Sequence, residues 1–316
     1  MRLTKRWVAA ACLQALLMAS AGANVAFAQE TESQQSIQPT GKVELIKDGY
    51  TFTEGPAWEP ESKTLFFSDI PNTSIHRVMP DGTVELFTDQ SKHTNGILIA
   101  ADGKIRACQM DGQVVEYEIT TGEATPIAGK FGGRRFNAPN DLIVDSQGGI
   151  YFTDPLFSAP TPLPQTIQAV YYIAPSEDEE PRVSRVTSDI KAPNGIGLSP
   201  DGGKLYVCPS GQAEMLVYDV LGPGKLSPAK TFCHVKQPEG KSNSGADGIT
   251  LDVKGNVYVT TDLGVQIFSP DGEFLGLVEF PQIPANVCFG GDDWKTMYVT
   301  ARTGVYRVPM PIAGLH

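Results

Sequence analysis

The chain has 316 residues, of which 41% are apolar and 19% charged, a balance that suits a globular protein and excludes a largely disordered one. Its formal charge of −11 opposes binding to nucleic acid or anionic membranes, and no basic run or Lys/Arg-rich amphipathic helix offsets it. Such a surface suits capture of cations or neutral small molecules.

The first residues read as a targeting segment. Arg2, Lys5 and Arg6 precede an apolar stretch from Trp7 to Phe27 that closes on Ala26-Phe27-Ala28, the pattern of a secretory signal cleaved after Ala28. Gln14, Ser20, Gly22 and Asn24 interrupt the stretch and argue against a retained membrane anchor. Removing residues 1–28 takes away three positive charges and leaves a mature chain of −14, exported to the periplasm or secreted. Residues 29–41 are polar and unpatterned at their start, and read as a flexible leader to a single domain over 42–316.

From Lys42 onward, short runs rich in Val, Ile, Tyr and Phe alternate with Asp-Gly and other glycine turns, and no window carries a helical period. Six segments align: EGPAWEPESKTLFF from Glu54, NGILIAADGKIRAC from Asn95, NDLIVDSQGGIYFT from Asn140, NGIGLSPDGGKLYV from Asn194, DGITLDVKGNVYVT from Asp247 and NVCFGGDDWKTMYV from Asn286. Their starts lie 41, 45, 54, 53 and 39 residues apart. In every copy a second turn begins seven residues after the first polar residue, and a strand follows that carries Phe66, Tyr151, Tyr206, Tyr258 or Tyr298, with Arg106 in the second copy. Repeats of this length and patterning predict an all-β, six-bladed β-propeller. A strand near Val43–Ile46 is expected to close the ring against the last strand, Val305–Val308.

In such a fold the two kinds of turn part company. Asp201-Gly202 lies between two strands as a hairpin turn, whereas Asn194 stands before the innermost strand of its blade, where it faces the central channel. Six equivalent positions then form a ring of Glu54, Asn95, Asn140, Asn194, Asp247 and Asn286, every one a side-chain oxygen donor, a composition that suits a hard divalent cation in the channel. Taken singly, each is also an ordinary strand-entry residue that satisfies nearby backbone groups.

The stretches EGPAW at 54–58, RFNAPNDLIVDSQGGIYFTDP at 135–155, PNGIGLSPDGGKLYV at 193–207 and DGITLDVKGNVYVT at 247–260 resemble the blade signatures of the family of gluconolactonase, senescence marker protein (regucalcin) and luciferin-regenerating enzyme. The likeness extends over about residues 42–308. It implies a six-bladed propeller with one divalent cation, calcium or zinc, in the channel mouth. By that likeness Glu54, Asn194 and Asp247 are metal ligands, Asp247 also moves protons, and Asn140 contacts metal or substrate. Asp141 stands beside it as the alternative, Arg135 matches an arginine that contacts sugar acids, and Asn95 is a further substrate contact. Here Asn137-Ala138-Pro139 separates Arg135 from Asn140, a departure from the animal proteins that weakens the substrate comparison and leaves the metal ligands untouched. His93 and Arg302 lie near other blade entries and read first as surface or structural residues, with a reach to substrate as the alternative.

A cation at this ring would polarise a lactone carbonyl while water attacks it, with Asp247 as the base and then as the donor to the departing ring oxygen. No GxSxG elbow is present, and none of the four histidines, His76, His93, His234 and His316, sits in a triad context. GxGxxG and Walker patterns are also missing, which removes nucleotide cofactors as a leading reading. Oxygen ligands favour calcium, magnesium or manganese, with zinc as the alternative. The first reading is therefore a metal-dependent lactonase acting on a small sugar lactone. Hydrolysis of other lactones or phosphotriesters, and a non-catalytic propeller binding calcium, sugar or protein, are the alternatives.

Two smaller features complete the reading. Cys108, Cys208, Cys233 and Cys288 have no CxxC spacing and read as buried free thiols, with a bridge as the alternative. The segment SAPTPLPQT at 158–166 is a loop, either a lid over the mouth or a plain connection, and the acidic run at 177–180 reads as a solvated turn.

Overall fold

The computed structural model describes residues 36–175, 181–242 and 245–316; the signal segment, the start of the leader and the acidic run at 177–180 lie outside them. Apart from one short 3-10 turn at Ile70–Asn72, every regular element among the described residues is a β-strand. Six antiparallel sheets succeed one another along the chain; five are local meanders, and in the sixth the strand Glu44–Asp48 from the start of the chain joins the last three strands. Their innermost strands are Thr53–Glu59, Thr94–Ile99, Leu142–Val144, Pro193–Leu198, Ile249–Leu251 and Asn286–Gly290. Each of these six touches the innermost strand of the blade before and after it, and the last touches the first, which closes a six-bladed propeller around a channel.

The closure is made by pairing across the ends of the chain. Glu44–Asp48 forms the outer strand of blade 6, with Leu45 opposite Tyr306 and Asp48 opposite Gly304, as the sequence predicts. Trp58 of blade 1 stacks on Tyr298 of blade 6, ring centroids 5.4 Å apart, so the seam is also packed by aromatic surface. Within the segment read as a leader, Ile37 is buried among Leu275, Met297 and Val308, and its amide donates to the Leu275 carbonyl at 3.0 Å. Apolar burial thus fixes the chain several residues before the closing strand.

The register explains why the repeat was legible. In each blade the second-strand aromatic or its equivalent pairs with the first strand: Phe66 with Ala57, Tyr151 with Ile143, Tyr206 with Gly197, Tyr258 with Thr250 and Tyr298 with Cys288. These rings lie between neighbouring sheets, where Phe66, Tyr151, Tyr206 and Tyr258 are fully buried, and they fill the wedge that widens between blades away from the axis. The four cysteines among the described residues are free, with Cys108, Cys208 and Cys233 buried.

Candidate functional site at the channel mouth

At three of the six ring positions the pairing between first and second strands skips, between Glu54 and Ala57, Thr94 and Ile97, and Pro193 and Ile196. Such bulges turn Asn95 and Asn194 out of the ladder, while Glu54 stays opposite Ser68 at the edge of its bulge. Glycine follows four of the ring residues because adjacent blades approach there. A Cβ on Gly195 would lie 2.3 Å from the Asp247 carbonyl oxygen, and one on Gly96 would lie 2.4 Å from Asp141 Oδ1. The two blades without that glycine, blades 3 and 6, carry Asp141 and Val287 instead and stand opposite each other. Asn286 Nδ2 of blade 6 reaches across to Asp141 Oδ2 of blade 3 at 3.4 Å. The ring therefore contains a bar across the channel that its repeat pattern does not announce.

All six ring residues are buried or nearly so at the inner ends of their blades, including Asp247, whose carboxyl is buried with the rest. Glu54 Oε2 accepts the Gly55 amide at 2.9 Å. Burial first, and then the negative charge of Asp247 and of Asp141, hold the Glu54 carboxyl well above the usual carboxylate range. Burial likewise raises Asp247, against the opposing pull of the Arg302 guanidinium and of Asn194. Asp141 is pushed up to about 6 by burial, in spite of hydrogen bonds from Leu142 N and Asn286. Three acids are thus crowded into a space that disfavours their charge.

The amides are arranged to complement them. Asn194 Nδ2 donates to Ser210 Oγ at 2.9 Å, and its oxygen has no hydrogen-bond partner among the described residues. Asn140 is buried, yet its carboxamide has no hydrogen-bond partner among the described residues. Asn95 has only a long contact, from Nδ2 to Met110 Sδ at 3.9 Å. Among the described residues no three His, Cys, Asp or Glu side chains converge as a preformed metal cage. The donor set is instead mixed, with Glu54 and Asp247 supplying charge and Asn194 and Asn140 supplying neutral oxygens. Buried acids without enough cations, next to unpartnered amide oxygens, fit a hard divalent ion.

The structure assigns Arg135 differently from the expectation of a substrate contact. Its guanidinium is committed to backbone carbonyls, donating to Phe136 at 3.1 Å, Asn137 at 3.2 Å and Met110 at 3.3 Å. It belongs to a support for the loop that carries Asn140 and Asp141. In the same support Asp154 accepts the Asn137 and Ala138 amides at 2.9 and 2.8 Å, and burial lifts its carboxyl to about 7. The Pro-rich segment is tied in as well. Gln165 Nε2 contacts the carbonyls of Phe131, Arg134 and Arg135, each at 3.0 Å, while its amide donates to Asn137 Oδ1. That end of the loop is anchored to a small hairpin, Lys130–Phe131 with Arg134–Arg135, which sequence reasoning did not separate from the blades.

A second ring of hydroxyls was also missed. Ser68, Ser210 and Thr260, at the ends of second strands, donate to the carbonyls of Asn95, Ala246 and Ala285 in the next blade at 2.9, 3.0 and 2.7 Å. The signal was present as a Ser or Thr closing the second strand in FFS, CPS and YVT. These bonds satisfy buried carbonyls and fix the blade-to-blade spacing of the ring.

The SMP-30/Gluconolactonase/LRE-like region model matches residues 52–303. The chain belongs to this family. A gluconolactonase of Zymomonas mobilis is 30% identical over 292 residues, covering 84% of this chain and 80% of its own. A pentonolactonase of Haloferax volcanii is 26% identical and covers 79% of this chain and 81% of its own. Among solved structures, a gluconolactonase from Xanthomonas campestris superposes with a TM-score of 0.79 at 27% identity, over 87% of this chain and 94% of its own. Luciferin-regenerating enzyme, at 22% identity and a TM-score of 0.72, shares the fold.

Proposed function

We propose that the chain is a hydrolase that opens a sugar lactone to its acid at the channel mouth, and that a divalent cation assists it. The observation that carries this reading is the burial of Glu54 and Asp247 against each other beside the open oxygen of Asn194. The names of the related lactonases give the substrate class. The apolar amino-terminal run with its Ala26-Phe27-Ala28 ending supports export of the protein.

Glu54, Asn194 and Asp247 would hold the cation, with Asn140 at its edge, and the ion would supply a Lewis acid for the lactone carbonyl. Asn140 and Asn95 orient the sugar hydroxyls. Asp247 accepts a proton from the attacking water as the water oxygen bonds to the carbonyl carbon. It then gives that proton to the ring oxygen as the acyl carbon–oxygen bond breaks, so the product is a single open-chain acid that carries the freed hydroxyl. The seating of Asn194 on Ser210 holds this geometry during both transfers.

Hydrolysis of glucono-1,5-lactone, followed as acid release with and without chelator, tests the reading. Turnover that disappears with chelator and returns with calcium, magnesium, manganese or zinc is the expected result. A folded protein that releases no acid with any of these ions would refute it and favour a binding propeller.

A further inference from the structure

The tips that join second and third strands stand around the same mouth, and three of them carry a charge: Asp111 in blade 2, Asp262 in blade 5 and Arg302 in blade 6. Both acids have side-chain partners, Asp111 meeting His93 Nδ1 at 3.2 Å and Asp262 meeting Lys241 Nζ at 2.8 Å. Arg302 makes no ion pair, and its guanidinium makes no hydrogen bond, among the described residues. It lies over the Phe52 ring, 5.3 Å from the centroid, two residues before Glu54. Its charge also reaches Asp247, and no other cation among the described residues acts on the three buried acids.

The backbone beneath it is rigid. Arg302 has φ +49°, a conformation that glycine or asparagine adopts at lower cost. Its carbonyl accepts the Thr53 amide at 2.7 Å and Thr53 Oγ1 at 3.2 Å, which locks the tip to blade 1. A long cationic side chain is therefore held at its base, packed along an aromatic face, and open at its head. A planar guanidinium with free donors fits a carboxylate in a bidentate manner, and prior immobilisation lowers the entropic cost of that contact. A neutral lactone would leave it unanswered.

We propose that Arg302 reads a carboxylate carried by the substrate, so that the preferred lactones are those of sugar acids bearing a second acidic group. This rests on the lactonase reading and names the substrate class within it. On a chain with a formal charge of −11, such an anion needs a local cation to enter beside Glu54, Asp141 and Asp247.

The test compares kcat/KM for neutral glucono-1,5-lactone and for the carboxylate-bearing glucaro-1,4-lactone in the wild type, Arg302→Gln and Arg302→Lys. Calorimetric binding of gluconate and glucarate to the wild type runs beside it. Charge-assisted contacts of this kind predict a preference of about tenfold or more for the acid-bearing lactone, and tighter binding of glucarate. Arg302→Gln removes a charge that also acts on Asp247 and so touches both lactones, but it should abolish the preference by raising KM for the acid-bearing lactone far more than for the neutral one, and Arg302→Lys should keep part of it. Equal rates and equal binding in the wild type, or an Arg302→Gln defect of the same size for both lactones, would overturn the assignment while leaving the lactonase intact. Hydrolysis of neither lactone by the wild type would instead overturn the lactonase reading.

Discussion

The two ends of the propeller use the same residue types to opposite effect. At the hairpin end, Asp201 is exposed and accepts Ser199 Oγ at 2.6 Å and the Gly203 amide at 3.0 Å, and these bonds hold its carboxyl below the usual range. Asp81 is lowered in the same way by the Thr83 hydroxyl and amide. Even the buried Asp252 is saturated by Lys254 N, Asn256 N, Asn256 Nδ2 and Tyr258 OH at 2.7–3.1 Å. At the mouth, Glu54 and Asp247 are buried with few donors and are raised. An acid whose lone pairs are met by its own turn stabilises that turn. An acid buried beside other acids destabilises the fold and is kept for what it can bind.

The largest effect that would break this contrast concerns neither end but the frame that holds both. Deleting residues 36–48 removes the outer strand of blade 6 and the Ile37 anchor, and should abolish the cooperative thermal melt. A single sharp transition after that deletion would show that the ring does not depend on its seam.

The support beneath the mouth should show in the pH dependence of stability. Asp154 has a folded pKa of about 7, above its ordinary 3.8, so the folded state binds the proton more tightly than the unfolded chain. The resulting stability is fully present below pH 4 and is lost as pH rises through 7, by an amount on the order of 4 kcal/mol. Chemical denaturation at pH 5 and pH 8 should therefore give a fall that Asp154→Asn reduces. A fall of equal size in that variant would locate the titrating group elsewhere.

At the hairpin end, Asp252→Ala should cost about 1–3 kcal/mol, because it leaves the Asn256 amide and Tyr258 hydroxyl buried without their acceptor. Denaturation midpoints would measure it. A neutral result would mean that water enters the turn and replaces the carboxylate.

The contrast between the ends also marks how far the sequence could be read. The seven-residue step from Asn194 to Asp201 gave both kinds of turn, because hairpin chemistry and strand alternation are local. The ring itself was legible for the same reason, since six equivalent blade entries must face one axis. The crossing contact between Asn286 and Asp141 was not, because it joins residues 145 apart on opposite blades. Nor was the fate of Arg135, whose likeness to a sugar-acid contact is overridden by three nearby carbonyls. Two of those carbonyls, Phe136 and Asn137, follow directly on the hairpin at 130–135 that Gln165 anchors, and the third, Met110, lies 25 residues earlier in blade 2. Ile37 sits in a polar stretch with no periodicity and is buried by a sheet edge far along the chain.

The central claim is that the mouth acids serve chemistry at the expense of stability, and Asp247→Asn tests it most directly when kcat and the thermal midpoint are measured on the same preparation. Loss of the base should lower kcat by about 10²–10⁴-fold, with the midpoint unchanged or raised because a buried acid has been removed. Retained turnover, or a loss of activity matched by a fall in the midpoint, would contradict the account and make Asp247 a structural residue.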